Sequence, residues 1–213
     1  MKQIIIAVAV LCGCINLSAQ QNKGLSKEVE EDIKQACKET VDAFTYHISY
    51  IGDKRNSDAT KDDHIQTALS YFVGDGEGIY LYDKNGEKIM EDGAYKFEVN
   101  PPIIEITSLN RESRHAFIKT YLNSLKSLPY QSVKITTSNA YFVSDLHPIK
   151  DNVYEATMAF GQVFIAENGD ILMYSDYTEK IVRMRITRLV YYDKERWDIK
   201  MGDITARETK PAK

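Results

Sequence analysis

The chain has 213 residues, of which 43% are hydrophobic and 27% are charged, and its formal net charge at pH 7 is −4. These values are typical of a globular protein and exclude a disordered or fibrous chain. Charges of both signs are mixed along the sequence without a basic stripe, so we expect no nucleic acid partner.

The first twenty residues predict a signal peptide for export. A short positive start at Met1–Gln3 precedes an apolar run from Ile4 to Leu11, and the segment then turns smaller and more polar towards Leu17–Gln20. The run is too short for a stable membrane span, and no later run is long enough either. We therefore expect cleavage after residue 19 or 20, a flexible lead over residues 21–25, and a periplasmic or secreted protein.

A second processing route stays open, because Leu11-Cys12-Gly13-Cys14 resembles a bacterial lipobox. Along that route Cys14 is lipidated and the protein is a lipoprotein anchored through this residue. Ordinary cleavage leaves Cys37 as the remaining cysteine, which excludes an internal disulfide. Cys37 lies on the apolar stripe of a predicted helix, so we interpret it as a buried thiol and not as a nucleophile.

Three helices are predicted. The first runs from about Ser26 to Ile51, with Ser26 as N-cap, acidic residues in its early turns, and apolar residues at steps of three and four. A polar loop over residues 53–61 leads to a second helix over residues 62–73. The third helix is expected from Ser108 or Asn110 to Leu128, where Pro129 prevents its continuation.

Strands are predicted between and after these helices. Residues 78–82 and 87–90 form a hairpin around Asn85-Gly86, and residues 103–106 form a short strand. Residues 133–143 form a further strand, and a turn over residues 146–152 leads into the last third of the chain. There we expect three long neighbouring strands, at Val153–Ile165, Ile171–Thr187 and Trp197–Ile204. The domain is expected over residues 26–208, followed by a disordered tail at 209–213.

This order of elements resembles the NTF2-like (cystatin-like α+β cone) superfamily, and more specifically uncharacterised secreted NTF2-like domains of Gram-negative bacteria. The resemblance is carried by Tyr174-Ser175-Asp176-Tyr177-Thr178-Glu179-Lys180 before a long strand and by Trp197-Asp198-Ile199-Lys200-Met201-Gly202-Asp203-Ile204 at the end. It implies an α+β fold in which a long N-terminal helix and two further helices pack in a strongly bent antiparallel sheet, with a pocket at the open end. The superfamily contains isomerases, dehydratases, transport factors and non-catalytic modules, so it leaves the function open.

The alternation of residues along the last strands predicts what lines such a pocket. Val182, Met184 and Ile186 share one apolar face, and without a bulge the same face carries Asp176, Thr178 and Lys180. We expect a small ligand to be contacted by apolar residues with a polar tip. The candidate ligand-binding residues are Tyr154, Met158, Phe160, Gln162, Tyr174, Asp176 and Trp197.

No residue is assigned a catalytic role, and we expect neither a metal nor a cofactor. Serine-hydrolase, phosphate-loop and dinucleotide motifs are absent from the sequence. The four histidines, at 47, 64, 115 and 147, lie in different predicted elements without ligand spacing. Asp176 is either a pocket base or a residue that bonds the backbone and fixes a bend, and the lack of a His or Tyr partner at defined spacing favours the latter.

Three functional hypotheses follow. We favour an exported, non-catalytic module that binds a small apolar ligand, a glycan or a partner protein of the envelope. The first alternative is a lyase or isomerase that uses Asp176, and the second is a dimeric scaffold protein of the cell envelope. A filled interior would favour the scaffold, and an open cavity with a polar tip would favour the enzyme.

Overall fold

The computed structural model describes residues 25–192 and 194–212. The predicted signal peptide, Cys14 and nearly all of the predicted lead lie outside these residues. These described residues form three α-helices, α1 (Lys27–Gly52), α2 (Asp58–Ser70) and α3 (Ile118–Leu125), and a short 3₁₀ helix covers Val73–Gly76. Among the helices described, none has the length and apolar character needed to cross a bilayer.

Eleven strands are formed by the described residues. They are β1 (Ile79–Tyr80), β2 (Met90–Glu91), β3 (Ala94–Tyr95), β4 (Phe97–Val99), β5 (Ile103–Ser108), β6 (Arg111–Phe117), β7 (Ser132–Phe142), β8 (His147–Lys150), β9 (Val153–Asn168), β10 (Ile171–Tyr191) and β11 (Lys194–Pro211).

Seven of these strands form one large sheet with the order β6-β5-β11-β10-β9-β7, and β8 pairs with β9 at one side. The predicted meander is confirmed, since β7, β9, β10 and β11 pair antiparallel with their neighbours. The sheet as a whole is mixed, however, because β5 joins β11 in parallel where Ile104 lies opposite Ile204. Register shifts interrupt the long pairings, for example between Ser138 and Tyr141 in β7, and such bulges bend a sheet.

Helix α1 covers the concave face of this sheet. Ser26 caps it as predicted, accepting a hydrogen bond from the Val29 amide at 3.3 Å. The apolar stripe is buried, and the ring of Phe44 meets that of Phe72 edge to face with centroids 5.1 Å apart. Cys37 is a free, fully buried thiol in the same stripe, in agreement with its structural interpretation. The α+β prediction, with a long N-terminal helix and two further helices packed against a strongly bent sheet, is confirmed.

Two helix predictions were wrong in their bounds. Helix α2 begins four residues earlier than predicted, because Ser57 acts as its N-cap and accepts a hydrogen bond from the Thr60 amide. The first half of the predicted third helix is instead the strand β6. A two-residue turn at Leu109-Asn110 folds β6 back onto β5, so that inter-strand pairing overrides the weak local helix preference of this charged segment.

Three smaller differences concern turns and ends. The predicted turn over residues 146–152 contains the short strand β8. In the hairpin around Asn85-Gly86, Gly86 alone has positive φ, and Asp83 closes the turn by accepting the amides of Asn85 and Glu87. Strand β11 continues to Pro211, opposite Asp176, and so passes residue 208, where we had expected the ordered domain to end.

Candidate functional site

A cavity of about 720 Å³ lies between helix α3 and the strands β5, β6, β9 and β10. Its volume is within the range of pockets that hold small molecules. Apolar wall residues include Ile106 of β5, Leu125 of α3 and Phe164 of β9, whereas β6 contributes the charged residues Arg111, Glu112 and Arg114. Its polar lining comes from several elements, and the buried polar groups among the lining residues, Asp176, Thr178 and Lys180, belong to β10.

The inward face predicted for β10 is present. Asp176, Thr178 and Lys180 are 5%, 3% and 5% exposed, and all three line the cavity. The three residues share one face because successive side chains of a strand point to opposite sides. They are buried because the same face continues along β10 with apolar residues that belong to the core. Aspartate and lysine side chains are rarely buried to this extent without a partner, so the partners of Asp176 and Lys180 have to be identified.

Asp176 has a partner that we did not foresee, the phenol of Tyr174. The Tyr174 hydroxyl donates to Asp176 Oδ2 at 2.6 Å and accepts a hydrogen bond from the Leu109 amide at 3.0 Å. The expectation that Asp176 lacks a Tyr partner was therefore wrong. Burial raises the pKa of the Asp176 carboxyl, against the opposing effects of the Tyr174 hydroxyl and of the positive charge of Lys180. Burial and the hydrogen bond to Asp176 raise the pKa of Tyr174 to about 12.

Lys180 lies four residues beyond Asp176 on the same face, which corresponds to roughly 13 Å along an extended strand, too far for direct pairing. Its ammonium donates instead to the backbone carbonyl oxygen of Glu105 at 2.8 Å. Burial lowers the pKa of Lys180 to about 8, although the negative charges of Glu105 and Asp176 act in the other direction. The Glu105 carboxylate accepts a hydrogen bond from the Ala206 amide at 2.9 Å, which lowers its pKa.

The structure brings together three of the seven candidate ligand-binding residues, since Gln162, Tyr174 and Asp176 line the cavity. Met158 and Phe160 belong to the core, at 0% and 1% exposure, and do not line it. Tyr154 and Trp197 do not line it either. Their rings pack against each other elsewhere, with centroids 5.9 Å apart, because Trp197 lies opposite Arg188, far along β10 from Asp176.

Several cavity residues were missed by the sequence analysis. Lys180 was placed on the inward face but was not counted as a site residue, although its position among apolar neighbours was a usable signal. The residues from β6 could not be found, because that segment was predicted as helix. Tyr121 of α3 lines the cavity as well. The pKa of its phenol is raised, mainly by burial and to a smaller extent by the negative charge of Asp176.

A second cluster of titratable groups joins α1 to α2, where the Nδ1 atoms of His47 and His64 lie 2.7 Å apart. The ring of Tyr50 stacks on His64 with centroids 4.6 Å apart. His47 and His64 lie in different helices, as predicted, but their contact across these helices was not foreseen. Burial and the proximity of His64 lower the pKa of His47. Within residues 25–192 and 194–212, no group of three or more His, Cys, Asp or Glu side chains could hold a metal ion.

Comparisons with known proteins identify no family for this chain. Neither the sequence profiles of protein families nor the curated protein sequences match this chain. Among solved structures, the chain is similar to one from Novosphingobium aromaticivorans DSM 12444, named "Putative Scytalone Dehydratase", with a TM-score of 0.44 and 10% sequence identity. The alignment covers 88% of this chain and 93% of the other. At this level of similarity neither an activity nor a substrate transfers to this chain.

Proposed function

We propose that the protein is an exported, non-catalytic module of the NTF2-like type that binds a small, largely apolar molecule in the cavity beside β10. The observation that carries the proposal is the open cavity of about 720 Å³ with the buried Asp176 and Lys180 in its wall. A filled interior would have favoured a scaffold, whereas an open cavity with a polar end also meets the condition stated above for an enzyme, which is the second candidate below.

The polar groups determine how such a molecule is oriented. The hydrogen bonds of Asp176 among the described residues use Oδ2, so Oδ1 is the carboxyl oxygen that can accept from a ligand hydroxyl. Gln162 offers an amide on the same wall of the cavity, opposite Thr178 and therefore two residues along from Asp176. A suitable ligand therefore has an apolar body that contacts the apolar wall and a hydroxyl group at the end that faces Asp176 and Gln162.

Calorimetric titration with 6-(hydroxymethyl)-2-naphthol, a rigid aromatic body with a hydroxyl at each end, tests the proposal. We expect saturable binding at one site per chain and several-fold weaker binding by Gln162→Ala. Tyr154→Ala, at the distant ring pair, serves as the matched control and should bind as the wild type does. Equal weakening by both variants, or no saturable binding, would contradict the proposal.

A second candidate, a lyase or isomerase, is favoured by the Tyr174–Asp176 hydrogen bond and the raised pKa of Asp176. A carboxylate with a raised pKa is a better base near neutral pH, and a buried phenol can stabilise a developing oxyanion. Exchange of the methyl protons of 6-hydroxy-2-acetonaphthone in deuterated water, followed by NMR, tests this role. Exchange that the protein accelerates and that Asp176→Asn abolishes would support an enzyme, and no acceleration would exclude Asp176 as a base for this ketone.

The export part of the proposal rests on residues 1–20. The intact mass of protein recovered from its native envelope distinguishes the two processing routes. A mature chain that begins at Gln20 or Gln21 supports ordinary cleavage. A chain that begins at a lipid-modified Cys14 would show a membrane anchor instead.

A further inference from the structure

Lys180 is an unusual amine, because it faces the cavity without a carboxylate partner. Its side chain is 5% exposed, and its single hydrogen bond among the described residues goes to a neutral backbone oxygen, that of Glu105. None of the ion pairs found within the described residues involves Lys180. A buried ammonium without an ionic partner is costly to the fold, because its desolvation is not compensated by an opposite charge.

The surroundings of Lys180 favour its neutral, nucleophilic form. Burial among apolar groups penalises the ammonium, and the pKa of Lys180 falls to about 8, against about 10.4 for a lysine in water. At pH 7 the free-amine fraction of Lys180 is therefore on the order of 100-fold larger than that of an exposed lysine. Desolvation of this kind is one of the general ways in which a lysine becomes reactive towards carbonyl groups.

We propose that Lys180 holds the cavity ligand covalently, as a reversible imine with an aldehyde or ketone. The lone pair of Nζ adds to the carbonyl carbon, and proton transfer from nitrogen to oxygen gives a neutral carbinolamine. Loss of the hydroxyl group together with the remaining N–H proton, as one molecule of water, then forms the C=N bond. Hydrolysis reverses each step, so no oxidant or reductant takes part. This inference rests on the proposed binding function and specifies its ligand class.

The arrangement of β10 sets the second requirement on the ligand. Asp176 lies roughly 13 Å and Tyr174 roughly 20 Å from Lys180 along the strand, so neither contacts the reacting carbon. They can hold a hydroxyl at the far end of the same molecule. The ligand class is therefore an apolar molecule with a carbonyl at one end and a hydrogen-bond donor at the other.

Reductive trapping tests the imine. The purified protein is incubated with 6-hydroxy-2-naphthaldehyde and cyanoborohydride, which reduces an imine to a stable secondary amine, and the modified lysines are located by peptide mass spectrometry. We expect modification of Lys180 at pH 7 at least tenfold faster than that of the exposed Lys134 on β7. Without reductant, imine formation at Lys180 followed by absorbance should increase as the pH rises through 8, in line with the lowered pKa of this amine.

Two variants and one analogue separate covalent capture from simple binding. Lys180→Arg keeps a cation that can donate to the Glu105 carbonyl but cannot form an imine under these conditions, so trapping at position 180 should be lost. Lys134→Met should leave trapping at Lys180 unchanged. The analogue 6-(hydroxymethyl)-2-naphthol has the same body without a carbonyl, and it should protect Lys180 by competition.

Each outcome bears on a different claim. If the analogue binds but Lys180 is trapped no faster than Lys134, the imine is overturned and the proposed binding function stands. If neither compound binds in the cavity, the binding function fails together with the imine. Selective trapping at Lys180 that the analogue suppresses supports both.

Discussion

The Tyr174 hydroxyl donates a 2.6 Å hydrogen bond to the Asp176 carboxylate, two residues further along the same strand. Residues at this spacing share one face of a strand, so the pair is fixed by β10 itself and opens into the cavity. The Leu109 amide, in the turn between β5 and β6, holds the phenol from the other side. This chain of hydrogen bonds connects the edge of the sheet to the acidic end of the cavity.

Removal of the Tyr174 hydroxyl should raise the pKa of Asp176. The hydrogen bond from Tyr174 is the larger of the two effects that oppose the burial of this carboxyl, and Tyr174→Phe deletes it. A pH titration of the Asp176 carboxyl carbon by NMR measures the change. Tyr177→Phe, on the opposite face of the same strand, is the control and should leave the titration where it is. An unchanged or lower pKa in Tyr174→Phe would show that the hydrogen bond does not act on the carboxylate.

The lowered pKa of Lys180 should appear in the pH dependence of stability. Between its folded pKa of about 8 and its ordinary value of 10.5, the unfolded chain binds more protons than the folded protein. The free energy of unfolding should therefore gain about 2 kcal/mol from Lys180 as the pH rises from 8 to 10. Urea denaturation of the wild type and of Lys180→Met at both pH values measures this difference. If the two proteins respond equally to pH, Lys180 is not perturbed by burial.

The packing of α1 on the sheet predicts a large loss of stability for one substitution and a small one for its neighbour. Phe44 is 1% exposed and contacts Phe72, whereas Tyr46, two residues on, is 53% exposed. Phe44→Ala should lower the free energy of unfolding by about 3–5 kcal/mol, and Tyr46→Ala by less than about 1 kcal/mol. Chemical denaturation measures both. A loss under about 1 kcal/mol for Phe44→Ala would mean that α1 does not fill the concave face.

Two glycines with positive φ should differ in their tolerance of alanine. A Cβ on Gly78 would lie 2.4 Å from the Val99 carbonyl oxygen, which belongs to the backbone and cannot turn away, whereas a Cβ on Gly86 would meet nothing within 4 Å. The φ values are +75° and +82°, so the conformational strain is similar in both and costs about 1–2 kcal/mol. Gly78→Ala should lower the thermal midpoint of unfolding more than Gly86→Ala does, because the new methyl group would push the backbone at Val99 and Asn100 away from residue 78. Equal midpoints would show that Val99 does not approach Gly78 this closely.

The sequence predicted correctly those features that depend on a single segment of the chain, and it failed for those that depend on distant partners. The apolar stripe of α1 and the alternation of β10 are contained in single segments, and both were confirmed, including the inward positions of Asp176 and Lys180. The strand β6 and the parallel pairing of Ile104 with Ile204 depend on partners distant in the chain. No local pattern records those partners, and the β6 segment carries charges that suit a helix equally well.

The candidate site shows the same limit. Trp197 and Tyr154 were grouped with the pocket because ligand sites are mostly apolar, but the register of β11 on β10 places Trp197 opposite Arg188. The contact between His47 and His64 likewise depends on how α2 packs on α1. Register and helix packing are set by the assembled core, so neither could be derived from the spacing of residues.

The central claim, that the cavity beside β10 binds a small molecule, is tested most directly by filling it. Ser124 of α3 lines the cavity, whereas its neighbour Asn123 does not, and both side chains are exposed. Ser124→Trp and Asn123→Trp therefore introduce the same bulk at adjacent positions, and calorimetry with 6-(hydroxymethyl)-2-naphthol compares their affinities. We expect at least tenfold weaker binding by Ser124→Trp and wild-type affinity for Asn123→Trp. Equal affinity in the two variants would contradict binding in this cavity.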